Sequence, residues 1–95
     1  MFVVIAYDVV EDRRRNRVFK ALKNHGRHVQ YSVFECDLRL PDFRRLKERL
    51  SRLIDLSEDN LRFYFLDRDA VEKIESVGRE RDPALADRTR RFLIV

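Results

Sequence analysis

The sequence predicts a small α+β domain in which two helices cover one face of a β-sheet. Residues 2–7 and 61–66 are short runs rich in β-branched and aromatic residues, with the length and composition of buried strands. Between them lie two stretches with the i, i+3, i+4, i+7 spacing of amphipathic helices. With 95 residues, 44% of them hydrophobic, the chain can bury one modest core, and we expect a single domain over residues 1–95.

The first predicted strand, residues 2–7, ends at one carboxylate, Asp8. The predicted helix 1 covers about residues 11–24, where apolar side chains recur at helical spacing. The pair His25-Gly26 is expected to end this helix, with Gly26 in the left-handed conformation that glycine often adopts after a helix C-terminus.

Residues 27–38 have the composition of a strand, but their apolar alternation changes phase near residues 31–33. A strand cannot change faces without a bulge, a bend or a tight turn, so this segment is either one bent strand or a hairpin.

Helix 2 is predicted to start at Pro41, and residues 57–60 form a polar loop before the strand 61–66. The order β-α-β-β-α-β predicts a ferredoxin-like sandwich. The apolar stripe of helix 2 consists of Phe43, Leu46, Leu50, Leu53 and Ile54.

The C-terminal residues 92–95, FLIV, are expected to form an extra strand at a sheet edge, on a second subunit. Residues 79–95 are accordingly expected at a dimer interface. A core of this size, without a disulfide, favours a homodimer because association adds buried area.

The cysteine content and the N-terminal sequence indicate the cellular compartment in which the protein is expected. One cysteine, Cys36, excludes an internal disulfide and a cysteine-based zinc site and favours a reducing cytoplasm. Cys36 alternates along the strand with the apolar residues Phe34 and Leu38, which indicates a thiol in the core. The first residues have neither a basic segment nor a cleavage signature, and no apolar run is long enough to span a membrane. We therefore expect a cytoplasmic protein without a membrane partner.

Charge is distributed unevenly along the chain. Net charge is +4, yet residues 13–34 contain seven Lys or Arg and no acid. At the chain's average acid frequency, this window would hold about four acids. Such asymmetry favours a nucleic-acid-binding surface. The expected phosphate contacts are Arg13, Arg14, Arg15 and Arg17.

Asp8 is the candidate for metal-dependent chemistry. An acid at the end of a strand can simply cap the following turn, and no second acid of metal-ligand spacing lies nearby. Mg²⁺ takes one or two carboxylates with waters and phosphate, so two Asp8 side chains from a dimer would make a plausible site. There, Mg²⁺ or Mn²⁺ would orient a water and stabilise charge on a phosphodiester.

Other side chains have weaker signals. His25 is explained by the helix dipole, whereas His28 could contact phosphate or carry a proton. Glycine-rich phosphate loops and the GxSxG and HExxH motifs do not occur, so those enzyme classes have no support. Four aromatic residues could stack on bases, but most of them are better explained as core residues: Tyr31, Phe34, Phe63 and Phe65.

Two segments resemble a known family. They are Tyr7-Asp8, followed by an acidic and arginine-rich helix, and GRHVQYSVFEC at residues 26–36. In these segments and in its layout, the chain is similar to the small CRISPR-associated adaptation protein that partners the CRISPR integrase. The resemblance implies a ferredoxin-like homodimer, Mg²⁺ shared by two Asp8 carboxylates and, as in some members of the family, hydrolysis of RNA or duplex DNA. It also implies nucleic-acid-binding roles for the residues at matching positions: Tyr7, Arg15, Arg17, His28, Ser32 and Phe34. Relatives commonly carry Arg at the position of His28.

Three functions remain open at this point. The first is a metal-dependent nuclease, and the second is a DNA-binding scaffold of the integrase complex with an idle Asp8. The third is a toxin-type ribonuclease of similar fold. The same arginines serve the first two functions, so the sequence does not separate them, nor does it distinguish RNA from DNA.

Overall fold

The computed structural model describes residues 1–81 of the chain. The predicted strand at 92–95, and most of the predicted interface segment 79–95, lie outside the described residues. In chain order the elements are β1 (Phe2–Asp8), α1 (Asp12–Lys23), β2 (Arg27–Gln30), β3 (Val33–Asp37), α2 (Leu40–Leu53), β4 (Asn60–Leu66) and the short α3 (Arg68–Glu72).

The four strands form one antiparallel sheet in the order β2-β3-β1-β4. This order confirms the ferredoxin-like sandwich, because the crossover from β1 through α1 leaves room for β3 between β1 and β2. β1 is a central strand, paired with β3 on one side and β4 on the other. Its last residue, Asp8, therefore lies at the middle of one end of the sheet.

Side chains of β1 alternate between two environments. Val3, Ile5 and Tyr7 are buried beneath the helices. By the two-residue period of a strand, Val4, Ala6 and Asp8 belong to the opposite face. We call this opposite side the open face of the sheet; Val4 and Ala6 are only half-buried there, and Asp8 is exposed.

Both long helices bury apolar side chains in the core. Of the stripe predicted for helix 2, Phe43, Leu46 and Leu50 are buried, and Leu53 and Ile54 are half-buried. Glu11 caps α1 by accepting a hydrogen bond from the Arg14 backbone N–H at 2.8 Å. Pro41 lies in the first turn of α2, as predicted. Phe43 of α2 makes edge contacts with two aromatic rings of β4. Fully buried side chains of the core are Val3, Ile5, Val18, Leu22, Phe34, Cys36 and Leu50.

The segment left open by the sequence is a hairpin. β2 and β3 are joined by Tyr31 and Ser32, with Gln30 paired to Val33 and an irregularity in the register between His28 and Gln30. The turn and the irregularity together account for the change of phase in the apolar pattern.

The prediction for Gly26 is wrong. The C-cap residue of α1, Asn24, has right-handed helical backbone angles, and within residues 1–81 only Gly78 has a positive φ. Gly26 instead allows a close approach between the turn that joins α1 to β2 and strand β3. A Cβ at this position would lie 2.7 Å from the Glu35 carbonyl oxygen and would also collide with Cys36 Sγ.

No helix within residues 1–81 combines the length and the apolar character that crossing a bilayer requires.

Candidate metal and phosphate site at the end of the first strand

Asp8 occupies the exposed end of the central strand. Its register partner on β4 is Asn60, and the chain then leaves the sheet toward α1. Within residues 1–81 the Asp8 carboxylate makes no hydrogen bond or ion pair. It is therefore open to a ligand that approaches this end of the sheet.

One chain offers an incomplete set of metal ligands. Within the part of the chain that the structure describes, no group of three His, Cys, Asp or Glu side chains could hold an ion. Asp8 would supply one carboxylate, which is within the range that Mg²⁺ accepts when waters and substrate phosphate complete its shell.

The arginines in the N-terminal turns of α1 differ in their exposure and in whether they have an ion-pair partner. Arg13 and Arg17 are exposed, and neither has an ion-pair partner in the described residues. Arg15 is partly buried and pairs with Asp12 one turn earlier on the helix. Arg13 and Arg17 are therefore the two guanidinium groups here without a partner in the described residues, and Arg15, which pairs only with an exposed acid, stays a predicted phosphate contact.

Arg14 is occupied within the protein. Its Nε donates to Asp59 Oδ2 at 2.9 Å, and its Nη2 lies 3.3 Å from Asp59 Oδ1 and 3.1 Å from Glu58 Oε2. The sequence grouped Arg14 with the phosphate contacts, but the structure places it in an ion pair between α1 and the loop before β4. We do not retain it as a candidate contact.

Asp59 is a functional candidate that sequence reasoning missed. Its side chain is fully buried and accepts backbone N–H groups of Val10 at 2.9 Å and Asp55 at 2.8 Å. The hydrogen bonds from Arg14 lower the pKa of Asp59 to about 2, and those from the two backbone amides act in the same direction. In the sequence Asp59 is one acid of a polar loop, and no local signal identifies its distant partners.

Tyr7 and Ser32 lie beside Asp8. The Tyr7 backbone N–H donates to the Ser32 carbonyl at 3.0 Å, which joins β1 to the hairpin turn. Burial raises the pKa of the Tyr7 hydroxyl, although a hydrogen bond with Ser32 and the charge of Arg15 act in the opposite direction. The structure therefore brings Tyr7, Arg15 and Ser32 together at the end of β1 where Asp8 lies. The Tyr7 side chain is on the helix-covered face there, and the Asp8 side chain belongs to the open face.

Phe34 is a core residue. It has no exposed surface, and its ring lies 5.5 Å from that of Phe19 and 6.4 Å from that of Tyr7. Stacking on a nucleic-acid base would require Phe34 to leave the core, so the structure does not support the predicted contact.

His28 lies at the edge of the core. Its ring stacks on Phe34 at 5.0 Å and meets Phe19 edge-on at 5.1 Å. Its Nε2–H donates to the Tyr31 carbonyl in the hairpin turn. His28 is only partly buried, so a contact to phosphate stays a prediction, whereas its support of the turn is visible.

Comparisons with known proteins identify the family to which the chain is similar. Residues 1–74 match the family model of the CRISPR-associated protein Cas2. CRISPR-associated endoribonuclease Cas2 1 of Chloroflexus aurantiacus is 47% identical over 79 residues, covering 82% of this chain and 85% of that protein. CRISPR-associated endoribonuclease Cas2 of Thermus thermophilus is 44% identical over 80 residues, covering 84% and 85%.

Solved structures show the same architecture. Streptococcus pyogenes Cas2 at pH 6.5 is similar with a TM-score of 0.75 and 35% identity, over 82% of this chain and 100% of that one. A chain of a partial Cas6-RT-Cas1–Cas2 complex is similar with a TM-score of 0.70 and 32% identity, over 80% and 89%. Since the family match spans most of the chain and the fold agrees with it, this chain belongs to the CRISPR-associated Cas2 family.

Proposed function

We propose that this protein works in CRISPR adaptation as a homodimer that binds nucleic acid and hydrolyses phosphodiester bonds with Mg²⁺, for which Mn²⁺ can substitute. The observation that carries the proposal is the exposed Asp8 at the end of the central strand, next to the basic N-terminal turns of α1. The names of the relatives from Chloroflexus aurantiacus and Thermus thermophilus, which are CRISPR-associated endoribonucleases, support the reaction type.

The donor set fits a divalent cation when two copies of the chain contribute to it. Asp8 belongs to the same face of β1 as Val4 and Ala6, which are apolar and only half-buried. A second copy packed on this open face would bury these side chains and bring its own Asp8 to the same end of the interface. Two hard carboxylate ligands, with waters and a phosphate oxygen, are a suitable shell for Mg²⁺.

Each residue then has a defined role. Asp8 of each subunit binds the cation, which when bound polarises the phosphodiester and lowers the pKa of a water. Arg13 and Arg17 bind flanking phosphates, to which guanidinium groups can donate two hydrogen bonds at once. Tyr7 and Ser32 support the end of β1 and hold Asp8 at the surface.

A DNA-binding scaffold of the integrase complex is the second candidate. The similarity to a chain of a Cas6-RT-Cas1–Cas2 complex favours it, and Arg13 and Arg17 would bind duplex phosphates without cleavage. Family membership favours both candidates over a toxin-type ribonuclease. The nuclease and the scaffold differ in whether Asp8 takes part in catalysis.

Replacing Asp8 by Asn tests catalysis. Asn keeps the size of the side chain but removes the charge that binds the cation, so we expect Mg²⁺-dependent cleavage of RNA or DNA to fall about 100-fold or more. Binding of nucleic acid without metal should be kept or become tighter, because negative charge leaves a phosphate-binding surface. Asp69→Asn, an exposed acid on α3, is the matched control and should cleave like wild type.

Cleavage that survives in Asp8→Asn would contradict this mechanism. A wild-type protein that does not cleave, together with spacer integration that Asp8→Asn leaves intact, would select the scaffold.

Salt dependence tests the phosphate contacts, which both candidate functions need. Each phosphate that Arg13 or Arg17 neutralises releases counterions, so Arg13→Ala and Arg17→Ala should each lower the slope of log K against log[salt] by about 0.7 to 0.9. The loss of affinity should be similar for unrelated sequences. Arg68→Ala, on α3 at the far end of β4, should leave the slope unchanged. A loss confined to one sequence would indicate base recognition instead.

A further inference from the structure

Asp59 joins three segments of the chain through one buried carboxylate. Its two oxygens accept hydrogen bonds from Val10 in the loop after β1, from Arg14 on α1 and from Asp55 in the loop after α2. No part of the Asp59 side chain is exposed, whereas the Arg14 side chain is 23% exposed. This geometry makes Asp59 the fixed centre of the connection and Arg14 its charge partner.

Asp59 is connected to the two segments that flank Asp8, the loop after β1 and the start of β4. Val10, which Asp59 holds, is two residues beyond Asp8 along the chain. Asn60, the register partner of Asp8 on β4, directly follows Asp59. One carboxylate therefore restrains the backbone after Asp8 and the strand that faces it.

We infer that Asp59 and Arg14 are a positioning pair that sets the orientation of Asp8 toward the divalent cation. The inference rests on the proposed function, because it assigns the pair a role at the same site. Neither residue needs to touch the cation or the phosphodiester.

A buried ion pair usually has a structural explanation alone, and that alternative makes a different prediction. If Asp59 and Arg14 only stabilise the fold, a folded variant that lacks the pair would bind the cation as wild type does. If Arg14 instead serves as a phosphate contact, its loss would weaken nucleic-acid binding without metal and reduce the salt slope. Cation affinity of the folded protein is thus the property to measure.

Arg14→Gln is the main variant, because it leaves Asp59 bonded to its two backbone amides and is therefore expected to fold. Glu58→Gln is the matched control, since it removes the exposed partner of Arg14 at 3.1 Å and leaves Asp59 in place. Arg14→Lys tests rescue, as lysine keeps the charge and can donate one hydrogen bond to Asp59. Far-UV circular dichroism and urea midpoints identify conditions in which every variant is folded.

Binding of Mn²⁺ to the full-length folded protein, followed by electron paramagnetic resonance, gives a readout that does not require cleavage. We expect Arg14→Gln to weaken Mn²⁺ binding about 10-fold, the effect typical of losing a group that orients a metal ligand. Arg14→Lys should recover part of this loss, and Glu58→Gln should bind Mn²⁺ like wild type. Binding of nucleic acid without metal should keep its wild-type salt slope in all three variants.

The outcomes separate this inference from the proposed function. If Asp8→Asn abolishes Mn²⁺ binding while folded Arg14→Gln binds Mn²⁺ like wild type, the positioning role is overturned and the site at Asp8 stands. A salt slope reduced in Arg14→Gln as in Arg17→Ala would also overturn it, because Arg14 would then be a phosphate contact. Unchanged Mn²⁺ binding in Asp8→Asn would overturn the proposed metal site and, with it, the inference.

Discussion

The Asp59 carboxylate keeps its charge in the folded protein down to about pH 2, because Arg14 and two backbone amides all bind the ionised form. In an unfolded chain an aspartate titrates at a pKa of about 3.9. The folded pKa is therefore the lower of the two, and this group stabilises the fold fully above the unfolded value. Its contribution is lost as the pH falls from about 4 through the folded pKa near 2.

Acid unfolding of Asp59→Asn tests this linkage. We expect the variant to be less stable than wild type at pH 7, with a melting temperature lower by about 5 °C or more. The difference should shrink between about pH 4 and 2, because wild type loses the charged contribution there and the variant does not have it. Urea midpoints from pH 7 to 2 measure this, with Asp37→Asn, whose side chain is 83% exposed, as the control. Parallel pH profiles for Asp59→Asn and wild type would refute the assignment.

Individual residues show why the sequence could not reveal the surroundings of every candidate site residue. Arg14 and Asp59 are 45 positions apart in the sequence, so nothing local distinguishes Arg14 from Arg13 or Arg17. Phe34 was named by its position in a motif, yet the pleat of β3 directs its ring beneath the helices. Asp8 could be named as a candidate from the sequence because its signal is local: one acid at the end of an apolar strand.

At the scale of elements, every helix and strand predicted before residue 67 is present within one or two residues of its expected limits. The β2–β3 hairpin could not be resolved because its turn lacks the usual signal. Two-residue turns favour glycine or asparagine with positive φ, whereas no non-glycine residue in 1–81 has a positive φ and the turn is Tyr31-Ser32. One local and one tertiary hydrogen bond hold it instead: His28 donates to the Tyr31 carbonyl, and the Tyr7 N–H donates to the Ser32 carbonyl from β1.

Replacing His28 by Ala tests this account of the turn. The variant loses the hydrogen bond to Tyr31 and the ring contacts with Phe19 and Phe34, so we expect a loss of about 1 to 2 kcal/mol in the free energy of unfolding. His25→Ala is the matched control, because His25 is exposed and should change stability by less than about 0.5 kcal/mol. Urea denaturation measures both. Equal stabilities of His28→Ala and wild type would mean that the turn does not need His28.

For the whole molecule, the topology followed from the order of elements, because few sheets accommodate β-α-β-β-α-β at this size. The order of elements does not predict the oligomeric state in the same way. The predicted strand at 92–95 lies outside the described residues and stays a prediction, as does the single domain over 1–95. The open face supplies an independent reason to expect a dimer, since Val4, Ala6 and Val33 form an apolar strip there on two adjacent strands.

Val4→Lys tests dimerisation through the open face. A charge at the centre of this strip should be costly to bury between two copies, so we expect a monomer by light scattering at micromolar concentration. Cation-dependent cleavage should be lost with the dimer, because each subunit supplies one Asp8. Val77→Lys, at a valine that is 89% exposed, should stay dimeric. A dimeric, folded Val4→Lys variant would place the interface elsewhere.

The close contact of Gly26 with Cys36 gives the protein an intrinsic reporter of local opening. Cys36 is the only thiol of the chain, and burial raises its pKa to about 11, so alkylating reagents find almost no exposed thiolate in the native state. Modification requires the turn between α1 and β2 to move away from β3, because Gly26 in that turn lies against the sulfur atom. The alkylation rate therefore measures how often this turn opens, without any label being introduced.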